Sequence, residues 1–245
     1  MEECTAGWIK TSEGYIMFKN QDVRKEKADC KKEVIVNHHG VVLLKDQLGK
    51  KGCWFGFNRH FSICTLSGPY KDIQSGKGSK HISELVLRKA RSLKEAVIMF
   101  KKQILKEEIP NSRSVIIANE EQAIVLEIKG KKIKSKNYPS KCFRTNIFLL
   151  LKEFNKFANQ DYPKKRERSL ARLRGIIKLT KKIKIGSQLK SPLGSHSERD
   201  LSSICRHDHS VTAGSVILEK KKNSFLIYYI LNNSPCRGEY RFKRL

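Results

Sequence analysis

Residues 4–22, CTAGWIKTSEGYIMFKNQD, hold two short β-rich runs and a single turn signal. Thr5 to Lys10 and Tyr15 to Lys19 carry the β-branched and aromatic residues of strands, and Ser12-Glu13-Gly14 between them reads as a turn. An antiparallel pair closed by that turn brings Asn20-Gln21-Asp22 back beside Cys4. If Met1-Glu2-Glu3 were removed as a leader, Cys4 would carry both a thiol and a free α-amine. With an unperturbed pKa of about 7.7–8.0, that amine is a usable base near neutrality. A thiol whose base sits on the same residue is an activated nucleophile that needs no histidine. Asp22 beside the ammonium would orient it, and Asn20 could hold the thiol or a substrate amide.

Outward from this hairpin the chain continues as strands. Glu33 to Asn37 and Val41 to Lys45 flank the turn His38-His39-Gly40, and Cys53 to Phe57 and Phe61 to Leu66 flank Asn58-Arg59-His60. Gly68 to Lys80 reads as an exposed loop. Apolar residues then recur at helical spacing, which predicts helices over about 81–91 and 93–107, broken near Ser92 and closed by Pro110. Strands resume at 114–118, 123–128 and 131–134, with another at 142–146. A basic helix is expected over about 164–180, a Ser-rich polar loop over 186–200, and strands at 211–218, 225–231 and 240–245. Strands, helices, strands, a helix and strands again imply antiparallel sheets with helices on their outer faces, an α+β arrangement in one domain spanning 1–245.

Composition bounds the function classes. Of 245 residues, 39% are hydrophobic and 31% charged, the balance of a globular chain. The longest apolar stretches, Ile147 to Leu151 and Phe225 to Leu231, are far shorter than the ~20 residues of a membrane helix, and residues 1–9 lack a secretory signal. A cytoplasmic protein with no membrane span is expected. The abnormal number is the charge: 51 Lys plus Arg against 24 Asp plus Glu give +27. Such a field attracts polyanions, so nonspecific polyanion binding is expected, although the lysines are scattered and form no arginine-rich arm.

Phosphate-binding, dinucleotide-binding, nucleophile-elbow and zincin motifs are all absent. Seven cysteines form no C-x-x-C pair, which disfavours a zinc ribbon or finger. His207-Asp208-His209 could offer two imidazoles, but without a companion ligand motif it reads as a solvated loop. No metal and no cofactor are expected. For the chemistry of Cys4 two further amides stand out: Asn58 in the strand-turn Gly56-Phe57-Asn58, and Asn146 in Arg144-Thr145-Asn146 at a strand end. Amide N–H groups aimed at a developing oxyanion are the usual electrostatic aid to acyl transfer.

In ordered combination these elements resemble the N-terminal-nucleophile (Ntn) hydrolases of the acyl-CoA:6-aminopenicillanic acid acyltransferase and conjugated bile acid hydrolase group. The resemblance rests on Cys4-Thr5 opening a strand, Asn20-Gln21-Asp22 matching N-x-D, Gly56-Phe57-Asn58, and Arg144-Thr145-Asn146-Ile147-Phe148 matching T-N-x-F. It continues in Arg168-Ser169-Leu170-Ala171-Arg172-Leu173, in Ile204-Cys205-Arg206-His207, and in Asn232-Asn233-Ser234-Pro235-Cys236 followed by Tyr240. The chain departs from the family where G-x-N-E-x-G-L reads Gly56-Phe57-Asn58-Arg59-His60-Phe61-Ser62, and where Ile147 replaces a histidine. The resemblance implies an αββα sandwich of two antiparallel sheets flanked by helices, and attack on a linear non-peptide amide through a thioester acyl-enzyme. It makes Cys4 the nucleophile and its α-amine the base, with Asp22 orienting that amine and Asn58 and Asn146 polarising the carbonyl. The leader Met1-Glu2-Glu3 departs from the family, so freeing the amine needs self-cleavage at Glu3-Cys4, another protease or a different start site. Asn20, Lys19 and Arg206 would bind the substrate, a small amide or acyl-CoA-like molecule with anionic character. A homo-oligomer fits the same picture.

Two other readings compete. A nucleic-acid-binding protein would use Lys164-Lys165-Arg166, the helix that follows to Lys182, and Lys131 to Lys136. An inactive Ntn scaffold would keep the fold without the chemistry.

Overall fold

The computed structural model describes residues 4–25, 33–46, 52–69, 79–107, 112–156, 162–196, 203–207 and 210–245. The expected leader, Met1-Glu2-Glu3, lies outside them, as do Asp208, His209 and most of the loop expected over 68–80. The described chain is α+β. It divides into two compact units, the first made of Met1–Lys31, Lys141–Ile147 and Ala158–Leu245, the second of Lys32–Ser140 and Phe148–Phe157.

The first unit is built on the N-terminal hairpin. β1 (Cys4–Lys10) and β2 (Gly14–Arg24) pair antiparallel, with Cys4 opposite Gln21, Thr5 opposite Asn20 and Ala6 opposite Lys19. Thr11 N–H donates to Gly14 O at 3.0 Å and closes the turn read from Ser12-Glu13-Gly14. β2 is longer than its sequence pattern suggests, because Asn20, Gln21, Asp22 and Val23 continue the ladder while fully buried. With β10 (Lys141–Arg144), β11 (Ser210–Lys221), β12 (Ser224–Leu231) and β13 (Arg241–Arg244) they form one antiparallel sheet in the order β10-β1-β2-β11-β12-β13.

The pleat separates two sets of side chains on this sheet. Cys4, Ala6 and Trp8 share one face with Gln21, Lys19 and Met17; Thr5, Gly7 and Ile9 share the other with Asn20, Phe18 and Ile16. Helices of the same unit cover the second face. α3 (Tyr162–Leu179) buries Ser169, Arg172, Leu173 and Ile176, which recur at helical spacing along one stripe. Of the segment read as a polar loop over 186–200, residues 186–194 are instead a 3-10 turn (Gly186–Leu189) running into α4 (Lys190–Gly194), and residues 197–200 lie outside the described residues. Leu189, Pro192 and Leu193 anchor it by burial, and Glu219 Oε2 accepts the Gly186 N–H at 3.0 Å. The serines that dominate the composition concealed these three apolar contacts.

The second unit is a meander. Its strands β3 (Glu33–His38), β4 (Val41–Asp46), β5 (Cys53–Phe57), β6 (Ser62–Ser67), β7 (Arg113–Ala118), β8 (Ala123–Lys129) and β9 (Lys132–Tyr138) pair in sequence order. His39 and Gly40 connect β3 to β4 with φ of 49° and 73°, the paired positive angles of a tight two-residue hairpin. α1 (Ser79–Lys89) and α2 (Leu93–Glu107) pack on the sheet through Ile82, Val86, Leu87, Ala96, Val97 and Phe100. The break between them follows from Ser92, whose Oγ accepts the Glu95 N–H at 3.2 Å and starts α2. Buried Glu127 draws the segment after β10 onto this unit, accepting the N–H groups of Leu149, Leu150 and Leu151 at 2.8, 2.7 and 2.9 Å.

Gly7 shows how tightly β1 is held. A Cβ there would lie 2.7 Å from Phe143 Cδ1 and 2.7 Å from Phe18 Cζ. Gly→Ala in a strand ordinarily stabilises by restricting the unfolded chain, but here overpacking decides the sign. Gly7→Ala is expected to cost about 1–3 kcal/mol, read as a lower urea midpoint; an unchanged or higher midpoint would show that the two rings yield freely.

Candidate active site

The first unit gathers most of the expected site at the start of β1. Cys4 is buried, and its backbone nitrogen donates to Asn146 Oδ1 at 2.6 Å. Its thiol lies 3.8 Å from Gln21 Oε1, the residue opposite it on β2. Asn146 stands two residues past β10, which pairs with β1 through Ala6 opposite Arg144. The same Asn146 oxygen accepts a second hydrogen bond, from Arg172 Nη2 at 3.3 Å.

Arg172 is the residue that sequence reasoning missed. It is fully buried on α3, donates to Ser169 Oγ at 3.1 Å, and places Nη1 3.6 Å from Asp22 Oδ2, a carboxylate with no exposure either. Asp22 Oδ1 in turn accepts from Thr212 Oγ1 at 2.8 Å, and that hydroxyl accepts the backbone N–H of Arg206 at 2.9 Å. A continuous path therefore runs from Cys4 N through Asn146, Arg172 and Asp22 to Thr212 and Arg206. The signal was present in the sequence: an arginine on the same helical stripe as Leu173 and Ile176 cannot be solvated. The surrounding exposed cations, Arg166, Arg174 and Lys178, concealed it in a basic run.

The remaining candidates divide. Asn20 is buried and donates through Nδ2 to Leu193 O at 2.9 Å and Ile204 O at 3.1 Å, so its amide ties β2 to two segments on the helical face. Lys19 lies on the thiol's face of the sheet at 1% exposure. Arg144, 2% exposed, occupies the other side of Ala6 on that face. Two buried cations thus flank Ala6, two residues along the strand from Cys4. Asn58 belongs to the second unit. There its Nδ2 donates to Leu87 O at 2.9 Å and Ala90 O at 3.4 Å, while its Oδ1 accepts from His60 N at 2.8 Å and Phe61 N at 3.0 Å. This binds the β5–β6 turn to the C-terminal end of α1, whose last carbonyls have no partner within the helix.

Cys142, opposite Trp8 on β10, is pushed up to about 12 by desolvation, which leaves it a small inert core residue.

No known family matches the chain, and no curated protein does. Among solved structures it is similar to the Anbu (Gly-1) mutant from Hyphomicrobium sp. strain MC1, at 10% identity with a TM-score of 0.36, covering 98% of this chain and 87% of that one. Among the described residues, no helix is long and apolar enough to cross a membrane.

The Asp22–Arg172 pair gives a test of the site's framework. Arg172→Met removes the guanidinium that faces a buried carboxylate and is expected to cost about 3–5 kcal/mol. Adding Asp22→Asn to it should recover part of that loss, since the buried charge goes with its partner. Guanidinium unfolding of the two single variants and the double variant measures the coupling; additive losses would show that the pair does not act as a unit.

Proposed function

We propose that this chain is an N-terminal-nucleophile cysteine amidohydrolase or acyltransferase, in which Cys4 attacks a linear amide after residues 1–3 are removed. The observation that carries the reading is the 2.6 Å hydrogen bond from Cys4 N to Asn146 Oδ1. An incidental cysteine near the start of a strand needs nothing beyond the ladder at its nitrogen. Here that nitrogen is held by a buried side chain which Arg172 itself orients, and it is the atom that becomes the α-amine.

The chemistry follows from the groups present. The α-amine of Cys4 takes the proton from its own thiol, and the thiolate sulfur attacks the amide carbon. The C=O π electrons move to oxygen, where the side-chain N–H of Asn146 would stabilise the charge. Collapse of the tetrahedral adduct breaks the C–N bond, and the α-ammonium returns its proton to the leaving amine. The acyl group is left on Cys4 as a thioester. Water or a second amine, deprotonated by the α-amine, then attacks the thioester carbon and frees the thiol. Asn146 holds the α-amine in line with the sulfur, and Asp22 fixes the Arg172 guanidinium that positions Asn146. In this reading Asn58 acts on the β5–β6 turn rather than on the carbonyl.

Lys19 and Arg144, on the thiol's face of β1 and its neighbours, favour a substrate whose acyl part carries a carboxylate or another anion. The chain's +27 charge raises the local concentration of any such anion.

Intact mass of the purified protein beside its Cys4→Ala variant tests the activation step. Loss of Met1-Glu2-Glu3 from wild type alone is the expected result, and an uncleaved, aged wild type with undiminished turnover would remove the α-amine from the mechanism. With carboxylated amides as substrates, Cys4→Ala should lower kcat by at least about 10³-fold. An alanine variant that kept its turnover would exclude Cys4 as nucleophile.

A further inference from the structure

Four side chains that play no part in the proposed chemistry converge on the helical side of the first unit. Cys205 Sγ lies 3.5 Å from Cys236 Sγ and 3.6 Å from His207 Nε2, and His207 Nε2 lies 3.0 Å from Cys236 Sγ. The His196 ring stacks on that of His207 with centroids 5.0 Å apart, and one ligand atom from each of the four falls within 4.8 Å of all the others. We propose that His196, Cys205, His207 and Cys236 bind one zinc ion in a closed tetrahedral Cys2His2 site, which fixes the loop carrying Arg206.

The distances favour this geometry. A tetrahedral zinc with Zn–S near 2.3 Å and Zn–N near 2.0–2.1 Å has S···S edges of about 3.8 Å and S···N edges of about 3.6 Å. The S···S separation and one S···N separation match within about 0.3 Å, and the other S···N is about 0.6 Å short. The exposed His196 ring supplies the fourth corner. Two thiolates and two imidazoles suit zinc better than the hard cations, which take oxygen ligands. Four protein ligands leave no open position, so the site is structural. Both thiols lose a proton on binding, and the two thiolate charges cancel the dication, giving a neutral centre.

The backbone is already arranged for it. Cys205 N–H donates to Ser195 O at 3.1 Å, beside His196. A Cβ on Gly194 would sit 3.5 Å from Cys236 N and Cα, so the two segments run in contact. Asn20 Nδ2 holds both Leu193 O and Ile204 O. Three segments distant in sequence therefore meet at one point without the metal. Arg206 lies between two ligands, with its N–H on the Thr212 hydroxyl that also reaches Asp22. The spacing H-x8-C-x-H-x28-C, read from His196 to Cys236, matches no finger or ribbon pattern, which is why the sequence argued against zinc.

This inference stands apart from the role of Cys4, so its test reads metal rather than turnover. Full-length protein, purified under reducing conditions without chelator, should carry one equivalent of zinc by native mass spectrometry and elemental analysis. Cys236→Ser and His207→Ala should lose it on desalting, whereas Cys53→Ser, in the second unit, should keep it. Exchange with cobalt should give the intense visible bands of a tetrahedral site with thiolate ligands, absent from Cys236→Ser. Protein that binds neither metal, that gives only the weak spectrum of octahedral surface cobalt, or that holds a Cys205–Cys236 disulfide in place of zinc would overturn the proposal. If the variants fail to fold, the wild-type cobalt spectrum decides alone.

Discussion

The buried contact between Asp22 and Arg172 is the constraint around which the first unit is arranged. Each is a full charge removed from water, and neither is tolerable alone at that depth. The pair joins β2 to α3, so the helix cannot shift along the sheet without separating them. The remaining donors of Arg172 then reach Asn146 and Ser169, and the second oxygen of Asp22 reaches Thr212 on β11. One electrostatic requirement thus fixes four segments around the nitrogen of Cys4. An entirely apolar contact could hold the helix equally well, but it would not dictate which way an amide points.

Most of the architecture was legible from residue pattern, for reasons that differ by segment. The hairpin of residues 4–22 was readable because its turn signal sits between two unambiguous β runs, and that alone put Asn20 and Asp22 beside Cys4. Both long helices of the second unit followed from apolar spacing, and Ser92 marked their break. What stayed hidden was chemistry masked by composition. Arg172 is one cation in a run of cations, distinguished only by its phase on the helix. Leu189, Pro192 and Leu193 are few among serines, yet their burial turns an apparent loop into structure. For Asn58, singled out because it follows a strand, no local pattern reveals that its amide donates to carbonyls about 30 residues away.

The His and Cys cluster shows the same limit in another form. Metal motifs are recognised from sequence when two ligands come from one turn, since only then is the spacing short and regular. Here only Cys205 and His207 share a segment, in a C-x-H spacing that matches no such motif, and the proximity of the other two depends on how β2, α4 and the end of β12 are tied together. Only tertiary structure displays such a set. The amide of Asn20, whose two carbonyl acceptors lie more than 170 residues away, does much of that tying.

The strand order of the first sheet has a consequence for the time at which the protein matures. The second unit's sheet pairs only sequence neighbours, so it can form as soon as its own strands have left the ribosome. The strand bearing Cys4 sits between β10 and β2, and β2 is completed on its far side by β11. The residues of that strand must therefore wait for Lys141–Arg144 and then for Ser210–Lys221 before their sheet closes. A thiol and its neighbouring nitrogen are consequently assembled into the sheet long after they are made. That delay keeps the surroundings of the Cys4 nitrogen unformed on the nascent chain until Ser210–Lys221 is present to enclose them.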